Sequence, residues 1–213
     1  PAMIGQGRKV LRNLQRVAKL FVAKSALAAF LILTIGLSSE SYPFIPRQLS
    51  LASAFTLGIP AFFLALAPSA GPWRPTNFLR ELSSFAVPAG VATGFGVVAS
   101  YLAALNLLEL DQIEARTIAT TVLVLVGLSL IILLEWSSHV RGYTVAALCG
   151  VLLAGYIAVL SLPMMRSFFE LSAPSPLVMT VAVLGSAIAI LGLWLTDQRF
   201  VPGRAHVPTG DDE

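Results

Sequence analysis

Apolar residues along this chain fall into six runs, which short polar or proline-rich connectors separate. Each run approaches the roughly 20 residues that an α-helix needs to cross a bilayer. None alternates apolar and polar residues with a period of two, as the strands of a transmembrane barrel do. We therefore predict an all-α fold, a polytopic membrane helix bundle with six transmembrane helices, at residues 17–37, 49–67, 83–105, 117–136, 143–161 and 177–196.

The residues before the first span are basic, but apolar residues recur among them at helical spacing. No glycine or proline separates the basic segment Gly7–Lys19 from this span, so we predict one continuous helix of about 30 residues. This divides the chain into a cytoplasmic stalk helix (1–16), a transmembrane domain (17–197) and a cytoplasmic tail (198–213). The stalk either snorkels its basic side chains to lipid phosphates or acts as a rigid lever to a soluble domain upstream.

The second run contains a helix breaker, because Gly58 and Pro60 lie near its centre. Pro60 has no N–H, and its ring clashes with the carbonyl four residues earlier. Within a bilayer, a freed carbonyl must be satisfied by protein, water or an ion. Two interpretations stay open at this point: a kink with no ligand, and an ion site such as transport proteins build from freed carbonyls.

Composition and charge place the protein in a membrane and suggest its orientation. Of 213 residues, 56% are hydrophobic and 12% are charged, about half the charged share of soluble domains. Ten basic residues flank the spans on the side of the two termini, and three lie on the other side with five acids. The positive-inside rule then predicts a multi-pass protein of the plasma membrane with both termini cytoplasmic. We expect the lipid bilayer as a partner and no nucleic acid, because the net charge of +3 reflects this asymmetry.

Two ionisable side chains are expected at membrane depth, where charge is costly and such a residue is therefore a functional candidate. Lys24 either snorkels to the interface or faces the bundle centre, near Ser25, Ser53 and Thr56. Glu135 precedes residues of interfacial composition, so we predict that it lies at the interface. The middle of the spans has no Asp or Glu, and a divalent-cation cage usually needs carboxylates.

Small residues in the later spans predict close helix packing rather than chemistry. Cys149 is expected to be a small packing residue, and no nucleophile–base pair or metal-ligand spacing points to a catalytic residue. The small residues are Gly90, Gly94, Gly96, Gly127, Ala146 and Gly150.

Two segments carry a resemblance to a known family, the P-type cation-transporting ATPases. Residues 7–21 resemble the stalk that enters the fifth transmembrane helix of these pumps, and residues 46–66 resemble their sixth helix with its proline-broken centre. The Trp73-Arg74-Pro75 loop resembles the cytoplasmic loop that follows. The resemblance is specific over about residues 5–80, and six spans with cytoplasmic ends match helices five to ten. It is nearest to the actinobacterial or Gram-positive branch, such as the mycobacterial CtpE-type calcium pumps.

This resemblance implies an ATP-driven cation pump that cycles through an aspartyl-phosphate, with ATP and Mg as cofactors of the parent protein. The sequence has no Asp-Lys-Thr-Gly-Thr motif, so we expect no ATP hydrolysis and no cofactor in this chain alone. It would be the C-terminal membrane half of a pump, with the N-terminal helices and cytoplasmic domains of the same pump and the transported cation as partners.

The resemblance also implies an ion pathway, for which the candidates are Lys24, Ser25, Ser53, Thr56, Gly58 and Pro60. Ser53 and Thr56 are the candidate metal ligands. The fifth-helix Asn and Glu of sarcoplasmic-type calcium pumps match Ser25 and Ala28, and their eighth-helix Glu matches Gly127. The sixth-helix Asn, Thr and Asp match Ser53, Thr56 and Leu57, so Thr56 alone keeps its type. We therefore expect one ion rather than two, with Lys24 as a built-in counter-charge.

Two other classes of membrane protein are alternatives to the pump. A non-catalytic polytopic scaffold or assembly subunit remains the alternative to the pump. A secondary transporter is disfavoured, because the six unlike spans contain no visible inverted repeat.

Overall fold

The computed structural model describes residues 2–38, 40–66, 78–135 and 139–196, and nearly all of them are helical. The predicted tail (198–213) and the Trp73-Arg74-Pro75 loop lie outside the described residues. In chain order the elements are α1 (Ala2–Ile35), α2 (Pro46–Ser53), a π-helical turn (Ala54–Gly58), α3 (Ile59–Leu66), α4 (Phe78–Asn106), α5 (Gln112–Glu135), α6 (His139–Ser161), α7 (Pro163–Phe169) and α8 (Pro176–Thr196).

Six segments of the described chain are long and apolar enough to cross a membrane. They differ from the predicted spans by at most five residues at either end, and the described residues contain no strand. The predicted all-α bundle of six transmembrane helices is therefore confirmed. The spans are Val17–Ile35, Pro46–Leu66, Leu82–Asn106, Gln112–Glu135, Gly142–Ser161 and Pro176–Leu195.

The first span belongs to a longer helix. Helix α1 runs without interruption from Ala2 to Ile35, and its 34 residues correspond to about 50 Å. The hydrocarbon core of a bilayer is only about 30 Å thick. Some 15 residues therefore precede the membrane-spanning part, as the apolar spacing predicts, and the division into stalk, membrane domain and tail stays a prediction.

Helix α5 occupies the centre of the bundle. Within its most apolar window 67% of the residues are buried inside the protein, against 28–44% in the other five spans. It packs against α4, α6, α8 and the π-helical turn. A helix that is apolar on all sides is the one a bundle can bury most completely, and α5 has that composition.

Glycines set the closest approaches between helices. A Cβ on Gly90 of α4 would lie 2.6 Å from the carbonyl oxygen of Ala23, and one on Gly127 would lie 2.6 Å from the Thr56 methyl carbon. Both positions therefore require glycine for the observed spacing. The packing role predicted for Gly150 is wrong, because no atom lies within 4 Å of where its Cβ would be. Other enclosed glycines are Gly94, Gly96 and Gly185.

The second span is not broken at Pro60, in contrast to the expectation from sequence. Its backbone widens into the π-helical turn, in which the Ile59 N–H donates to the carbonyl of Ala54, five residues earlier. Pro60 follows in the first turn of α3 and has no N–H to donate to Thr56. The wide turn thus accommodates the hydrogen bond that Pro60 cannot donate, and the chain remains helical across the span.

A short helix that the sequence analysis missed follows the fifth span. Helix α7 begins with Pro163 in its first turn and ends at Phe169, and Glu170 caps it with a left-handed φ of 52°. Glu170 joins this segment to the start of the second span, because its carboxylate pairs with Arg47 and its carbonyl accepts from the Gln48 side chain at 2.9 Å. The ends of the second and fifth spans are therefore tied together on the side predicted to be outside.

Candidate functional site

A half-open cavity of about 60 Å³ lies between α1, the second span, α4 and α5. Its volume is enough for a few water molecules or one partly hydrated ion. Most of the wall is apolar. The polar side chains and glycines that line it are Lys24, Ser53, Thr56, Thr93, Gly90 and Gly127.

Lys24 brings a positive charge into this cavity. Its ammonium donates a hydrogen bond of 2.6 Å to the hydroxyl oxygen of Ser53, and the side chain is half-buried. Of the two orientations left open by the sequence, the structure therefore has the one that faces the bundle centre. An ammonium has three donors, so two remain for other oxygen atoms in the cavity.

The hydroxyl groups of the second span present lone pairs rather than protons. Ser53 donates its proton to the carbonyl of Leu49, and Thr56 donates to the carbonyl of Ala52 at 2.8 Å. A hydroxyl whose proton is already donated acts only as an acceptor. Both oxygens thus suit an ammonium or a metal cation, and neither suits an anion.

The other candidates from the sequence are not brought into the cavity. Ser25 is exposed, and its hydroxyl donates to the carbonyl of Phe21 at 3.1 Å. It therefore points away from Ser53, the hydrogen-bond partner of Lys24. Gly58 is exposed and Pro60 is buried, and neither lines the cavity wall. Their effect on the site is through the π-helical turn, which contains Thr56.

Apart from the apolar side chains of the wall, three lining residues had not been assigned to the site from sequence. Thr93 of α4 is buried, and its hydroxyl donates to the carbonyl of Ala89 at 2.6 Å. Gly90 and Gly127 let α1 and the π-helical turn come close enough to enclose the cavity. A small residue one turn from a threonine, as in Gly90 and Thr93, was the only signal in the sequence.

No carboxylate lines the cavity among the residues that the structure describes. Nor does that part of the chain hold a cluster of three or more His, Cys, Asp or Glu side chains. Glu135 is the last residue of α5, in line with the interfacial depth predicted for it, but its side chain is buried in protein, only 1% exposed. The cavity by itself is therefore a weak cage for a divalent cation.

These features define a polytopic helical membrane protein with a cavity between its helices that contains several polar side chains, and comparison with curated proteins gives the family. The chain is 30% identical over 93% of its length to the calcium-transporting ATPase CtpE of Mycolicibacterium smegmatis. It is 31% identical over 97% of its length to the protein of that name from Mycobacterium tuberculosis. A probable cation-transporting ATPase, exp7 of Streptococcus pneumoniae, is 29% identical over 46% of the chain.

The chain is thus a relative of the P-type cation-transporting ATPases, as the stalk and second span predict. The similarity also extends far past the 5–80 region in which the resemblance was specific, since 93–97% of the chain aligns. The chain spans 27–28% of the length of the two CtpE relatives. No family model matches the sequence.

Proposed function

We propose that this chain is the membrane part of an ATP-driven cation pump and that its cavity lies on the path of the cation. Similarity to cation-transporting ATPases over nearly the whole chain supports the class. The observation that carries the site is the hydrogen bond from the Lys24 ammonium to Ser53, because it places a cation against an oxygen acceptor in the wall of the cavity.

Lys24 then acts as a built-in counter-charge. Two like unit charges about 4 Å apart repel by about 4 kcal/mol at an effective dielectric constant of about 20. A metal cation at Ser53 and Thr56 therefore requires the ammonium to move away, and the returning ammonium helps to empty the site. Once the ion has left, Lys24 takes its place and no counter-ion has to be imported.

Calcium is the cargo we propose, with one ion bound at a time. The relatives named for calcium transport support the choice of ion. Hydroxyl oxygens alone hold Ca²⁺ weakly, since this ion prefers six to eight oxygen ligands with carboxylates among them. In this proposal the carboxylates come from helices of the parent pump outside this chain, and its cytoplasmic domains bind ATP and Mg²⁺.

The orientation follows from charge. In this proposal the protein lies in the plasma membrane. Both of its termini are cytoplasmic, because ten basic residues flank the spans on that side and three on the other. The stalk at the start of α1 then points toward the ATP-hydrolysing domains. Its length of about 15 residues beyond the span suits a lever between the two parts.

The test is ATP-dependent uptake by inverted membrane vesicles that contain the full-length gene product. With ATP and Mg²⁺ added outside, we expect accumulation of Ca²⁺ above that in vesicles without ATP. A series of other mono- and divalent cations establishes selectivity in the same assay. Absence of ATP-dependent uptake of any cation would overturn the proposal and leave a non-catalytic scaffold subunit as the function.

A further inference from the structure

We propose that Thr93 of α4 is a further oxygen ligand for the transported cation, so that the third span of this chain takes part in ion binding. This rests on the proposed function. The observation behind it is that Thr93 lines the same cavity as Lys24, Ser53 and Thr56.

The position of Thr93 follows from the contact between α1 and α4. Gly90 touches the α1 backbone at Ala23, the residue before Lys24. Thr93 lies three residues after Gly90, on the same face of α4. The close approach at Gly90 thus brings the buried Thr93 side chain, 4% exposed, to the wall of the cavity.

The hydroxyl of Thr93 has the same hydrogen-bonding pattern as the hydroxyls of Ser53 and Thr56 in the second span. It donates its proton to the carbonyl of Ala89, which leaves its lone pairs to accept. Ser53 and Thr56 donate to carbonyls four residues earlier in the same way. Three hydroxyl oxygens with only acceptor capacity left, and one ammonium, therefore make up the polar lining of the cavity.

The opposing explanation is that the Thr93 hydroxyl only forms a hydrogen bond with the backbone of its own helix. Thr120 of α5 provides the comparison, because it is fully buried, donates to the carbonyl of Arg116 at 2.8 Å and does not line the cavity. A valine at either position removes the oxygen and keeps the shape. Only a role in ion binding makes the two substitutions differ in cation affinity.

The experiment measures the cation concentration for half-maximal ATP-dependent uptake by the full-length protein in vesicles. We expect Thr93→Val to raise this concentration by roughly three- to tenfold, because a ligand to a charged group is lost. Thr93→Ser keeps the oxygen and should stay near the wild-type value, as should Thr120→Val. An unchanged value in Thr93→Val, beside normal wild-type uptake, would overturn the inference and leave the pump proposal intact.

A second measurement covers the case in which Thr93→Val does not fold. Thr93→Cys, in a Cys149→Ala background, is treated with a small cationic methanethiosulfonate reagent with and without saturating cation. We expect the cation to slow modification of the new cysteine. Equal rates in both conditions would contradict the inference, and failure of the wild type to transport any cation would overturn the proposed function itself.

Discussion

Lys24 holds its ammonium at the place where a transported cation is proposed to bind, within 2.6 Å of the Ser53 hydroxyl oxygen. Removing it removes the competitor for that oxygen. We expect Lys24→Ala in the full-length pump to lower the Ca²⁺ concentration for half-maximal uptake by about tenfold, which corresponds to about 1.4 kcal/mol. We also expect slower turnover, because the charge that helps to empty the site is gone.

Ser25→Ala is the matched control, since Ser25 is the neighbouring residue and points away from the cavity. Uptake and ATP hydrolysis measured together report whether transport stays coupled. Normal affinity, turnover and coupling in Lys24→Ala would show that the ammonium plays no part in the cycle.

At the scale of helices, the contact between α1 and α4 depends on Gly90. Alanine has the higher helix propensity by about 1 kcal/mol, so Gly→Ala at an open position is neutral or stabilising. At Gly90 the added Cβ would lie 2.6 Å from the Ala23 carbonyl oxygen, which forces the helices apart. We expect Gly90→Ala to lower the free energy of unfolding by about 1–3 kcal/mol in detergent.

Gly150→Ala is the paired control, because the space around Gly150 is open. Thermal unfolding of both variants separates packing from propensity. Equal stability of the two would mean that α1 and α4 do not meet at Gly90 as described.

The link between the second span and α7 contains an exposed ion pair, a buried amide and a hydrogen bond of 2.7 Å from Arg47 to the Phe168 carbonyl, and the first two differ in value. The Arg47–Glu170 pair is nearly half exposed on both sides, and such pairs contribute about 0–1 kcal/mol. Gln48 is fully buried, donates to the Glu170 carbonyl at 2.9 Å and accepts from the Ile45 N–H. An unsatisfied buried group costs about 1–3 kcal/mol. We therefore expect Gln48→Leu to destabilise the protein more than Glu170→Gln.

Chemical or thermal unfolding of the two variants in one detergent gives that comparison. The prediction fails if Glu170→Gln is the more damaging change. In that case the exposed ion pair, and not the buried amide, would hold the second span to α7.

At the scale of the whole molecule, much of the fold follows from the sequence. Apolar runs of about 20 residues allow only a helix in lipid, so the six spans could be located to within five residues. Helix α7 was missed because its seven residues are too few for a periodic pattern and a proline-rich stretch follows them. The π-helical turn was missed because a proline is compatible with either a break or a wide turn, and the sequence of the run does not distinguish the two.

The site was predicted less completely, because its members come from four spans. Ser53 and Thr56 were found through the resemblance of the proline-containing second run to the sixth helix of the pumps, and Lys24 was found through its charge. Whether Lys24 faces lipid or protein depends on its neighbours, and so does the burial of Glu135. The sequence marks Thr93 only as a threonine one turn after a glycine, and the approach of α4 to α1 brings it to the cavity.

The most direct test of the central claim is the initial rate of ATP-dependent Ca²⁺ uptake by inverted vesicles. It compares the full-length wild-type protein with its Ser53→Ala/Thr56→Val variant at limiting Ca²⁺. The account predicts uptake by the wild type and a loss of about tenfold or more in the variant, since two oxygen ligands are removed. Equal rates in the two proteins, or no ATP-dependent uptake by the wild type, would contradict it.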